Sequence, residues 1–188
     1  MFDPRTHRKQ IKHIEHPNHA RELTFSCFRR FPLLANDVFK QLLAESIDRA
    51  VERHGFDLVA FVFMPEHVHL IVYPRRPGAN VSELLYALKR PHSFRVKQWM
   101  IEHDDAWLSK LTIRERKDKT VFRFWQEGPG YDRNIDSPET LLSSIEYLHF
   151  NPVKRGLCTS PREYRWSSWR HYHGGSTERL PKVHGVPS

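Results

Sequence analysis

Apolar positions along the chain fall into short strand-like runs and longer helical stripes. The runs Asp57-Leu58-Val59-Ala60-Phe61-Val62-Phe63 and Leu70-Ile71-Val72-Tyr73 are β-branched and aromatic, and Gly55 and Pro74 bound them. Both read as strands of one hairpin turning through Met64-Pro65-Glu66. An earlier strand is predicted near Leu23 to Arg30. Between it and the hairpin, Val38, Phe39, Leu42, Leu43, Ile47 and Val51 recur at helical spacing behind Asn36, whose side chain suits an N-cap. A second helix is predicted from about Ser82, with Glu83 in its first turn. Then come a strand near Val121 to Trp125, a Gly-Pro-Gly turn, a short strand near Tyr131, and a helix from Ser137 or Pro138 to His149. The charged stretch His103 to Lys119 reads as a loop or insertion. Strands separated by helices around a central hairpin predict an α+β fold, a ferredoxin-like antiparallel sheet with helices packed on one face. The predicted organisation is a polar N-terminal arm over 1–17, one domain over 18–173 with a variable charged insertion at 103–120, and a disordered Gly-, Pro- and Ser-rich tail over 174–188.

Charge adds a partner to this picture. The 188 residues suffice for one core, and a formal net charge of +8 favours an acidic partner, of which nucleic acid is the usual one. A basic, soluble surface over aromatics that are mostly core is the plainer reading of the same counts. Against it, cations cluster with aromatics in Phe28-Arg29-Arg30-Phe31, in Lys89-Arg90 with Phe94-Arg95, in Arg123-Phe124-Trp125, and between Arg162 and Arg170. Single strands are held by that pairing of phosphate neutralisation and base stacking. Candidate DNA contacts are therefore Arg29, Arg30, Lys89, Arg90, Arg95, Arg123, Trp125, Lys154, Arg155, Arg165 and Trp166. No apolar run approaches the ~20 residues that a bilayer-spanning helix needs. Cys27 and Cys158 come with neither a signal peptide nor a disulfide-type spacing, so a soluble, cytoplasmic protein is expected.

Candidate chemistry centres on His67-Val68-His69. On a strand, side chains two apart share a face, so the two imidazoles lie side by side while Val68 points into a core. Two neutral imidazoles so placed can chelate one divalent ion. Glu66, adjacent, is a candidate oxygen ligand or a group that orients His67. His171-Tyr172-His173 repeats the spacing without the strand setting.

Several separated segments then resemble one family in the same order. His19 to Arg30 is similar to the first strand of the HUH single-strand DNA transposases, and Met64 to Leu70 to their metal strand. Phe124 to Asp132 resembles their late strand entered through a Trp-Gln pair. Tyr147-Leu148-His149-Phe150-Asn151-Pro152-Val153 resembles the Asn-Pro-Val turn after the last core helix, and Trp166-Ser167-Ser168 the tail motif. Together these segments, over roughly residues 18 to 170, resemble the REP-associated tyrosine transposases of the IS200-like family. The resemblance implies the same ferredoxin-like fold with its metal site on a central strand. It also implies two His and a third polar ligand holding Mg²⁺ or Mn²⁺, and a helix-borne Tyr that attacks the scissile phosphate to leave a 5′-phosphotyrosine link.

Counted from the Asn80-Val81-Ser82 helix start, the family's Tyr position falls on His92, and Val96, Lys97 and Gln98 stand where the polar ligand is expected. His92 shares a stripe with Leu85, Leu88, Val96 and Trp99, so it faces the sheet. It reads as a third ligand, a nucleophile or an acid/base, or as a buried, hydrogen-bonded histidine. Tyr131 is the better-placed alternative nucleophile, with an aromatic lid on the sheet edge as its plainer role; Tyr86 lies off the His92 face. Gln126 and Asp132 are weaker candidates. The expected function is metal-dependent cleavage and joining of single-stranded or hairpin DNA in transposition. The alternatives are a degenerate relative that binds structured single-stranded DNA without cutting it, and an RNA-binding module on the same sheet. Monomer and homodimer remain equally open.

Overall fold

The computed structural model describes residues 19–128 and 130–186. The predicted arm over 1–17, the centre of the Gly-Pro-Gly turn and the last two residues of the tail lie outside them. Strand β1 (Ala20–Ser26) leads through two short 3₁₀ turns to helix α1 (Asp37–His54). Asn36 caps α1 by accepting from the Val38 N–H, and Gly55 ends it in the left-handed conformation at φ 71°. Strands β2 (Phe56–Phe63) and β3 (His67–Pro74) form the expected hairpin, closed by the Met64 N–H donating to the His67 carbonyl. Helix α2 (Val81–Glu102) begins at Asn80, which accepts from the Glu83 N–H, and runs unbroken through Pro91.

The charged stretch 103–119 is not a loop. It folds as a short helix α3 (Trp107–Leu111) and a hairpin of β4 (Thr112–Arg116) and β5 (Lys119–Phe122), anchored by fully buried Leu111 with Trp107, Leu108 and Ile113 packed beside it. Its apolar residues are too few and too widely spaced among charges to signal this in sequence. Strand β6 (Tyr131–Ile135) and helix α4 (Pro138–Lys154) follow, with Pro138 at the first turn and Ser137 capping. The Asn151-Pro152-Val153 segment, expected as a turn, is the last turn of α4. Helix α5 (Trp169–Tyr172) is a single turn.

The main sheet is antiparallel, in the order β2-β3-β1-β6. With α1 and α2 as crossovers, this is the βαββαβ ferredoxin-like arrangement. Strand alternation separates two cores. Leu23, Phe25, Phe61, Phe63, Val68 and Leu70 face α1 and α2. Ala60, Val62, Ile71 and Ile135 face the other way and are covered by Leu141, Ile145 and Leu148 of α4. The crossover helices thus share one face as expected, while α4 sits on the opposite face, where the expectation placed no helix.

The outer edge of β2 is also covered. Trp166 to Ser168 pair with it, through Phe63 N–H to the Trp166 carbonyl and Ser168 N–H to the Phe61 carbonyl, both 2.9 Å. His184 N–H donates to the Leu58 carbonyl at 2.8 Å, and Leu180 and Val183 pack on the core. The tail expected to be disordered is ordered over this part, because two apolar side chains and an open strand edge reward its docking.

Candidate functional site

His67 and His69 project from β3 on the α4 side of the sheet, since their neighbours Val68 and Leu70 take the other side. The two Nε2 atoms lie 2.9 Å apart. For an octahedral ion with bonds of ~2.1 Å, neighbouring donors stand about 3 Å apart, so the pair fits a chelate. The His69 Nδ1 lies 2.8 Å from the Thr24 hydroxyl on β1; with Nδ1–H as donor, Nε2 keeps its lone pair for a ligand role. Burial, and next the neighbouring His67, pull the His69 pKa down to about 4. Burial likewise lowers that of His67 against the opposing pull of Glu66. Both rings are therefore neutral, ligand-competent imidazoles at neutral pH.

Glu66 lies on the far side of His67, its Oε1 3.3 Å from Nδ1, and the Arg155 guanidinium holds that same oxygen at 2.8 Å. Burial raises the Glu66 pKa, but His67 and Arg155 outweigh it and the net shift is downward. The carboxylate thus stands on the Nδ1 side of His67, away from the Nε2 atoms of the pair. The third group at the pair comes from α4: the Asn151 amide lies 3.3 Å from the His69 Nε2. Amide nitrogen and oxygen exchange by a flip, so Asn151 can present its oxygen to a cation. Among the described residues no group of three His, Cys, Asp or Glu side chains is placed to hold a metal. Two imidazoles and one amide are the donors on offer.

A cavity of about 570 Å³ opens beside His69, walled by Thr24, Tyr131, Arg133, Ser144 and Tyr147. Tyr147 precedes Asn151 by one turn of α4, on the same helix face. Its ring is half-exposed, and the Lys154 ammonium lies 4.1 Å from the ring centre. Tyr131 pairs with Thr24, which pairs with His69, so it stands two strands, roughly 10 Å, from the histidines on the same face.

His92 is elsewhere. It points at the sheet as its stripe requires, but from α2, on the face opposite the two histidines. It has no exposed surface, its Nε2 hydrogen-bonds the Phe39 carbonyl at 3.1 Å, and Phe124 and Trp125 pack against its ring. Burial pulls its pKa down to about 3. The sheet separates it from His67 and His69, so the ligand and nucleophile roles do not fit and the buried-histidine reading does. Tyr86 is exposed on that same remote side. The Asp132 carboxylate is buried against Arg21, at 2.8 and 2.6 Å, and the Gln126 side chain accepts from the Arg29 N–H.

The expected DNA contacts divide by position. Lys154 and Arg155 stand at the site, and Arg30 approaches Glu66 at 3.9 Å. Arg29 and Arg30 both hold left-handed backbone, at φ 51° and 54°, beside this end of β1. Arg95 pairs with Glu45, Arg123 with Glu115 and Glu127, Arg90 with the Tyr86 hydroxyl, and Arg165 lies over Trp166. Trp166 is no stacking platform: it is 6% exposed, stacks on Phe63 and donates to Asp37. Trp125 is likewise buried, edge-on to Phe25 and Phe124, with only its rim reaching a cavity under α2, where Lys89 sits over Phe25. The residues beside the histidines that sequence reasoning passed over are Tyr147 and Asn151. Their signal was a spacing of four, visible only if the helix expected to end at His149 runs on through Asn151.

Known proteins agree with this architecture. A family model described as "Transposase IS200 like" matches residues 17–131, from before β1 to the start of β6. A Haemophilus influenzae protein described as a "Putative REP-associated tyrosine transposase" is 22% identical over 162 residues, 81% of this chain and 85% of its own. A solved REP-associated tyrosine transposase bound to a REP hairpin superposes with a TM-score of 0.64 at 17% identity, over 92% of this chain and 88% of its own, which is a likeness of fold. No helix among the described residues is long and apolar enough to cross a membrane. With the model matching more than half the chain, and covering the strand that presents both histidines, this protein belongs to the IS200-like transposase family.

Proposed function

We propose that the chain cleaves and rejoins single-stranded, hairpin-bearing DNA at the α4 face of its sheet, with Tyr147 as the nucleophile and His67, His69 and Asn151 as the holders of Mg²⁺ or Mn²⁺. The observation that carries this reading is that one helix brings both missing parts to the histidines. Asn151 reaches His69, and Tyr147, a turn earlier, lines the same cavity as His69. A divalent ion bound there polarises the scissile phosphate and neutralises its charge. The residues of the chain do the rest. Tyr147 Oη attacks phosphorus and gives its proton to solvent; the phosphorus–O3′ bond breaks, the leaving oxygen takes up a proton, and a 5′-phosphotyrosine link remains. Lys154, beside the Tyr147 ring, and Arg155 lend positive charge to the phosphate. The link conserves the bond energy, so a free 3′-hydroxyl of another strand can reverse the step without ATP. That the fold neighbour was solved on a REP hairpin supports hairpin DNA as the partner.

The reading of the chain as a degenerate DNA binder rested on a His in the nucleophile's place. Tyr147, lining the same cavity as His69, is the observation that favours cleavage over that reading. The test is incubation of the full chain with labelled hairpin DNA and Mn²⁺, read on a denaturing gel for protein-linked product. Wild type and Tyr131→Phe are expected to form the link and Tyr147→Phe to lose it. A link that survives in Tyr147→Phe refutes the assignment, and tight binding without cleavage across hairpins and metals returns the binding-only reading.

A further inference from the structure

A second cavity, of about 560 Å³, lies on the other side of the sheet, between the first turns of α2 and the chain from β5 to Gly128. Leu85, Phe122, Phe124 and Trp125 make its walls apolar and aromatic. Lys89 is the feature that the fold leaves unexplained. Its ammonium is part-buried, 4.7 Å from the centre of the Phe25 ring, and among the described residues no carboxylate pairs with it. The two acids at the cavity, Glu115 and Glu127, are taken up by Arg123. Burial alone draws the Lys89 pKa down to about 8.

A part-buried cation with no counter-charge is costly. A ligand that relieves it brings a negative charge, and a flat body suits the aromatic walls. A nucleotide has both, and a cavity of this size is in the range of small-molecule sites. The Gly128 end of the cavity and Tyr131 of the His69 cavity lie on either side of the β6 edge of the sheet, so one strand of DNA can pass over that edge from the first cavity to the second.

The geometry points to the Lys89 cavity as a nucleotide subsite, holding one base and its phosphate from the single strand that flanks the cleavage point. The assignment rests on the proposed DNA-strand chemistry. Its test has two parts that separate the two. In the first, lysine acylation of the full chain is followed residue by residue by peptide mass spectrometry, with pentathymidylate or pyrophosphate present. Pentathymidylate is expected to slow Lys89 selectively, relative to exposed Lys117 and Lys182, and pyrophosphate to leave it unchanged. An unchanged Lys89 rate, equal protection by pyrophosphate, or stronger protection by pentauridylate overturns the subsite, whether or not the chain cuts hairpins. Selective protection in a chain that forms no covalent DNA link sustains the subsite and counts against the cleavage reading. In the second part, Lys89→Met, which keeps the stem and removes the uncompensated charge, is expected to weaken binding of a hairpin with a single-stranded extension about tenfold, the size of one charge-assisted phosphate contact. Binding of a blunt hairpin should not change. Equal loss on both DNAs, or none on either, overturns the proposal.

Discussion

Replacing His92 by Gln separates a core histidine from a catalytic one. The folded ring is neutral down to about pH 3, whereas the unfolded side chain takes up a proton near its ordinary value of 6.5. Between those values the unfolded state binds the extra proton, so stability falls as pH falls through 6.5 and keeps falling until the folded pKa is reached. The slope for one such group is about 1.4 kcal/mol per pH unit, which makes the penalty about 2 kcal/mol at pH 5, a sizeable part of an ordinary domain's stability. Gln cannot titrate and can still donate to the Phe39 carbonyl that His92 bonds. The assay is urea unfolding followed by circular dichroism at pH 7.5 and 5.0, without metal. His92→Gln should be the less stable protein at pH 7.5, because it packs less well against Phe124 and Trp125, yet lose about 2 kcal/mol less than wild type on going to pH 5. The same variant should form the covalent DNA link. An unchanged pH dependence, or loss of the link in a variant that remains folded, refutes the placement of His92 in the core.

Other substitutions probe the site and its support. Thr24→Val removes the group that orients His69 and should weaken Mn²⁺ binding by calorimetry about tenfold or more, while the His67→Ala/His69→Ala double variant abolishes it. Gly130→Ala should cost more than about 1 kcal/mol in thermal or urea unfolding, because φ is +76° and the new Cβ would lie 2.2 Å from the Thr24 carbonyl oxygen; since the clash falls on β1 beside the site, metal affinity should drop with it. Trp166→Ala should cost about 3–5 kcal/mol of stability, and Trp166→Phe far less, with DNA affinity unchanged in the Phe variant. A selective loss of DNA binding in the Phe variant would restore the stacking role.

Local pattern was enough for the elements whose signals are local. Asn36 and Gly55 bracket α1, Ser137 and Pro138 open α4, and the β-branched runs either side of Met64-Pro65-Glu66 make the hairpin; each is visible to a reader of neighbouring residues. The charged stretch and the tail were misread because what orders them is distant: Leu111 in the main core, and the β2 edge that the Leu58 and Phe63 backbone offers.

By itself the sequence determined that His67 and His69 share a strand face, that His92 faces the sheet, and that residues 17–131 match the family. Period-2 and period-3.6 spacing say which residues point together. They are silent on which side of a sheet a helix comes to rest. Only the tertiary structure decided that α2 and the histidines lie on opposite faces, and that α4 covers the histidines and brings Asn151 and Tyr147 with it. That choice follows from the alternation of two apolar surfaces through β1, β2, β3 and β6, a property of four strands in register and of no single segment.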